Sequence, residues 1–201
     1  MVRICIWGSS IAKGAGDPFR GGWVERLRND FDKNMNDVSV YNLGISGNTS
    51  DLLVKRFNVE YDARLPSIVI IGIGLNDSAF FGKRTKPWVN LTKYEKNLYK
   101  LYNKAKKKSK VIFVTLTPVD ESKTMPIPWR EELYYSNDMI SKYNEKLKLF
   151  CEKNSVSIIN LEGLLTKKDM MDGLHPNSEG HRKIYVIVKK FLIDNKLVHK
   201  I

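Results

Sequence analysis

The sequence predicts an α/β fold in which a parallel sheet of about five strands is covered by helices on both faces. Two observations carry this. Short apolar runs of strand length alternate with longer segments whose apolar residues recur at helical spacing. Most of those runs are also stopped abruptly by glycine or proline, as buried strands of a parallel sheet are.

The elements follow in chain order. Val2–Trp7 is a short apolar run ended by Gly8 and reads as the first buried strand. Gly21–Met35 is helical, with Trp23, Leu27 and Phe31 four residues apart. Val38–Leu43 is a second strand, and Ser50–Arg64 a second helix broken before Pro66. Ser67–Ile73 is the strongest strand pattern, rich in isoleucine and bounded by Gly72 and Gly74. Leu91–Lys107 repeats Tyr94, Leu98 and Leu101 on one helical face. Val111–Leu116 is a fourth strand, stopped by Pro118. Arg130–Asn154 reads as the longest helix, Val156–Ile159 as a fifth strand, and Ser178–Asn195 as the closing helix.

Composition bounds the function. At 201 residues with 42% apolar side chains, the chain fits one globular domain with a sizeable core, residues 1–201 as a single unit. Cys5 lies in the first apolar run and Cys151 near the end of a late helix, so both read as small buried hydrophobes rather than a disulfide. Neither a leader-like segment nor a run of ~20 apolar residues is visible, which makes a cytoplasmic location the expectation. The net charge of +12 is mostly lysine, densest at Lys104, Lys106, Lys107, Lys108 and Lys110. Those residues fall where a helix should end, and cations there complement its dipole. They are not interleaved with aromatics or glycines along one face, so nucleic acid is an unlikely partner.

Four short segments carry chemistry: Gly8-Ser9-Ser10, Gly44-Ile45-Ser46-Gly47-Asn48, Gly74-Leu75-Asn76-Asp77 and Asp172-Gly173-Leu174-His175-Pro176. Three follow predicted strands, and the fourth follows the fifth strand before the last helix. Active sites of open parallel sheets gather at the carboxyl ends of the strands, so all four belong to one edge. Ser10 sits at a strand exit, where a hydroxyl is either a nucleophile or a helix cap. An Asp three residues before a His on a turn can hold one ring nitrogen and leave the other free as a base. The other two histidines fit that role less well. His181 falls on the closing helix as a helix-face residue, and His199 lies in the terminal tail. A glycine N–H at Gly47 and the side-chain amide of Asn76 are the kinds of donor that hold an oxyanion, although each taken alone also reads as turn chemistry. No Gly-x-Ser-x-Gly elbow, phosphate loop or dinucleotide fingerprint is present, and no metal-ligand spacing is evident.

In this order the four segments resemble the SGNH (GDSL-type) hydrolases, from Ile4 to the closing helix. The resemblance implies a flavodoxin-like three-layer α/β/α sandwich. It implies Ser10 as nucleophile, Asp172 and His175 as the rest of the triad, and an oxyanion hole of Ser10, Gly47 and Asn76. It further implies a serine esterase acting on a small-molecule acyl ester, with acetyl among the acyl groups, and no metal or organic cofactor. An acyltransferase on the same triad and a non-catalytic binding protein of the same fold are the alternatives. The first segment departs from the family in having Ser9 where Asp is usual. Trp129, Phe80 and Phe81 are expected in loops near the site, with the proline-rich segment from Pro118 to Trp129 as a wall or lid.

Overall fold

A computed structural model describes residues 1–35, 37–82 and 86–198; His199 lies outside them. The chain runs β1 (Val2–Gly8), α1 (Ser10–Lys13), α2 (Gly22–Asn34), β2 (Val38–Gly44), α3 (Ser50–Arg64), β3 (Ile68–Gly72), α4 (Leu75–Ser78) and β4 (Phe80–Phe81). It continues through α5 (Leu91–Ala105), β5 (Lys110–Val114), α6 (Glu121–Thr124), β6 (Leu133–Tyr134), α7 (Asn137–Lys153), β7 (Ser157–Ile159), a single 3₁₀ turn and α8 (Ser178–Asp194).

Five strands form one parallel sheet in the order β2-β1-β3-β5-β7. Strand alternation divides the core between its two faces. Ile4, Ile6, Ile70 and Ile112 pack with Leu27 and Phe31 of α2 and with Ile184 and Val188 of α8. Cys5, Trp7, Val69, Ile71 and Phe113 face the other way, against Leu53 and Phe57 of α3, Leu98 of α5 and Leu147 of α7. Both faces are covered, which is why the strands read as continuous apolar runs and not as alternating ones. The result is the three-layer α/β/α sandwich. Both cysteines are buried free thiols, which burial pushes up to about 12.

The register brings Gly44, Gly8 and Gly72 side by side at the carboxyl ends of β2, β1 and β3. A Cβ at Gly8 would lie 2.7 Å from Ala12 Cβ and 2.8 Å from the Gly72 carbonyl oxygen. The absence of side chains lets α1 turn directly over the strand ends, and this turn presents Ser10.

The long helix expected over Arg130–Asn154 is a correction. The helix begins only at Asn137, with the Ser136 side chain accepting the Met139 N–H at its start. Leu133–Tyr134 upstream is extended and pairs antiparallel with Phe80–Phe81, so the two phenylalanines lie in a strand and not in a loop. The ring of Tyr134 stacks on Phe80 at 5.6 Å between centroids, a cross-strand contact that competes with helix formation there. At the lysine-rich end of α5 the helix stops at Ala105, and Lys104 pairs with Asp62 at 2.7 Å.

Candidate active site

Three of the side chains named from sequence form a continuous hydrogen-bonded chain. Ser10 opens α1 and is nearly buried, and its Oγ lies 3.0 Å from His175 Nε2. The other ring nitrogen, Nδ1, lies 2.7 Å from Asp172 Oδ2. Asp172 Oδ1 accepts the backbone N–H groups of Leu174 and His175 at 2.9 and 2.7 Å. Burial pushes the Asp172 carboxyl up, yet the hydrogen bonds from the His175 ring and from these two amides outweigh it and hold the group below its usual range. An ionised Asp172 only accepts, so Nδ1 carries the ring proton and Nε2 accepts from the Ser10 hydroxyl.

The turn that carries this pair approaches the loop after Ser10 closely. A Cβ at Gly16, where φ is +94°, would sit 2.1 Å from the Pro176 carbonyl oxygen and 3.3 Å from His175 Cβ. On the far side, the half-exposed Trp129 stacks on the His175 ring at 5.8 Å, with the planes 20° apart.

The two remaining segments meet each other. Gly47 is exposed with φ +77°, and no atom lies within 4 Å of where its Cβ would be. Asn76 is buried on α4, and its Nδ2 donates to the Asn48 carbonyl at 2.8 Å. Its Oδ1 accepts the Tyr135 hydroxyl, also at 2.8 Å. The Ser10 N–H is a first-turn amide of α1, which has no intrahelical acceptor.

Several residues support this arrangement without having been singled out from sequence. Arg56 on α3 donates to Asn48 Oδ1 at 2.8 Å and to the Leu43 carbonyl at 2.8 Å, and it pairs with Glu60 at 2.6 Å. It thereby ties the Gly47–Asn48 turn to the end of β2. Asp77 accepts the Ser50 N–H at 3.0 and 2.9 Å as well as the Ser50 hydroxyl, anchoring α4 to the start of α3. An Arg with a Glu four residues on has the pattern of a surface helix pair, and no local signal marks Tyr135 or Asp77 as support for distant groups.

Ser9 is buried and lines a cavity of about 40 Å³ with Ile11, Trp23, Leu75 and Thr117. His181 sits on α8 but faces inward and is wholly buried. Its Nδ1 accepts the Trp23 N–H at 3.2 Å and its Nε2 donates to the Ala15 carbonyl at 2.8 Å. Burial lowers its pKa, so it stays neutral and braces the loop before α2.

A family model described as the GDSL-like Lipase/Acylhydrolase family matches residues 6–183. The chain belongs to the GDSL-like lipase/acylhydrolase family. Solved structures agree with this GDSL-like fold. A GDSL-like lipase from Bacteroides thetaiotaomicron is 25% identical with a TM-score of 0.73, covering 96% of this chain and 88% of that one. A lipase/acylhydrolase from Enterococcus faecalis is 21% identical with a TM-score of 0.77, covering 97% of each chain. A psychrotrophic esterase from a Pseudoalteromonas species is 21% identical with a TM-score of 0.73, covering 96% of this chain and all of that one, 100%. No curated protein matches this GDSL-like sequence significantly. Among its described residues, no helix is long and apolar enough to cross a membrane.

Proposed function

We propose that this GDSL-like hydrolase is a serine esterase of small acyl esters, with Ser10 as nucleophile, His175 as base and Asp172 as its orienting partner. The observation that carries the reading is the unbroken hydrogen-bond chain from Ser10 Oγ through both nitrogens of His175 to Asp172.

The reaction follows from that geometry. His175 Nε2 takes the Ser10 proton as Oγ attacks the ester carbonyl, and Asp172 stabilises the imidazolium that forms. The Ser10 and Gly47 backbone N–H groups and the Asn76 amide receive the negative charge on the carbonyl oxygen. Collapse expels the alcohol with the proton from His175. Water, deprotonated by the same nitrogen, then releases the acid and regenerates Ser10.

The test is intact-protein mass after treatment with a fluorophosphonate, alongside Ser10→Ala. One adduct on the native chain, absent from the variant, is the expected result. A folded native chain that takes no adduct overturns the esterase reading, and an adduct that persists in Ser10→Ala moves the nucleophile elsewhere.

A further inference from the structure

The Asn76 amide has its oxygen and one N–H already engaged, and both partners require the same orientation. Asn48 offers a carbonyl oxygen to Nδ2, and Tyr135 offers a hydroxyl to Oδ1. Rotating the amide by half a turn would set two oxygens against each other at Asn48. In the observed orientation, Nδ2 keeps one N–H unspent among the described residues, beside the Gly47–Asn48 turn.

We propose that Tyr135 is a positioning residue for the oxyanion hole: its hydroxyl, by donating to Asn76 Oδ1, fixes the amide so that the free N–H faces the reacting carbonyl. This inference rests on the esterase reading above. The phenol is well suited to the task. It is 2% exposed, and burial raises its pKa, so it stays protonated and acts as donor. Its backbone is clamped on both sides, with Tyr135 N–H donating to the Thr124 carbonyl and Thr124 Oγ1 donating to the Tyr135 carbonyl, each at 2.9 Å. A hydrogen bond accepted at the amide oxygen also polarises the amide and strengthens its N–H as a donor to developing charge. The same connecting segment reaches the base, because Trp129 stacks on His175 and the Asp120 N–H donates to the Gly173 carbonyl at 2.8 Å.

The experiment compares Tyr135→Phe, Asn76→Ala and the double variant on p-nitrophenyl acetate. Tyr143→Phe serves as a control that removes another buried tyrosine hydroxyl, the one donating to the Val89 carbonyl. Tyr135→Phe is expected to lower kcat roughly tenfold with KM little changed, and Asn76→Ala roughly a hundredfold. In the Asn76→Ala background, Tyr135→Phe should cost nothing further, since the group it positions is gone. Tyr143→Phe should leave kcat near native. An unchanged kcat in Tyr135→Phe, or an equal loss in both backgrounds, overturns the proposal. Hydrogen exchange at the Asn76 side-chain amide, followed by NMR, reads the orientation without turnover and should accelerate in Tyr135→Phe. If the native chain neither hydrolyses the ester nor takes a fluorophosphonate adduct, the esterase reading fails by itself. The exchange measurement then decides whether Tyr135 holds the amide, and unaltered exchange overturns the positioning role.

Discussion

At the scale of single residues, the site depends on close approaches that only certain side chains permit. Gly16 is the clearest case, because any Cβ there meets the Pro176 carbonyl oxygen at 2.1 Å and the backbone is in the left-handed region. Gly16→Ala must push the His175 turn away from Ser10, and a displacement near 1 Å costs on the order of a hundredfold in rate. The expected outcome is a large fall in kcat on p-nitrophenyl acetate, with a smaller fall in melting temperature. The pairing of Asp172 with His175 was readable from sequence, because the two lie three positions apart on one turn. Tyr135 was not, since its role is a hydrogen bond to a residue 59 positions away and nothing in its neighbours encodes that. Ser9 shows the same limit. Its neighbours identify a turn, but only the structure shows that it is the Ser10 hydroxyl that meets His175.

At the scale of elements, the sheet strands were legible because burial on both faces leaves uninterrupted apolar runs of β-branched residues. The two-residue strands β4 and β6 were not, since Phe80–Phe81 and Leu133–Tyr134 are too short to show a period. Leu133, Tyr134 and Tyr135 therefore merged with the pattern of α7, although Ser136 and Asp138 mark its true start. The junction of α4 with α3 carries a pH prediction. Asp77 is held by the first amide and hydroxyl of α3, yet burial pushes its carboxyl up to about 7, from an ordinary value of 3.8. It binds its proton more tightly folded than unfolded, so its contribution to stability is full below about pH 4 and is lost as pH rises through about 7. Denaturant melts of native protein and Asp77→Asn at several pH values isolate this effect by difference. The native-minus-variant stability should fall across that window, and a flat difference would assign the carboxyl an ordinary pKa.

At the scale of the whole molecule, the densest lysine cluster and the candidate site occupy opposite ends of the sheet. The lysines from Lys104 to Lys110 lie where α5 ends and β5 begins, whereas Ser10, Gly47, Asn76 and His175 follow strand ends. A five-residue strand separates the two edges by roughly 16 Å, beyond the screening length of about 8 Å in physiological salt. The lysine cluster should thus leave turnover of a neutral ester almost untouched. The kcat/KM for p-nitrophenyl acetate is expected to vary by less than about twofold between roughly 0.02 and 0.5 M salt. A steep decline would instead place functional charge at the catalytic edge.

The hydrogen bond between Ser10 and His175 joins residues 165 positions apart. Ser10 leaves the ribosome early, on the exit of the strand that later lies inside the sheet, while its proposed base arrives on the turn before the last helix. Until that turn is in place, Ser10 lacks its His175 partner. On the proposed mechanism, nascent and partly folded chains that lack this contact should be inert toward esters. Labelling of Ser10 during refolding should therefore report when the His175 turn seats beside it.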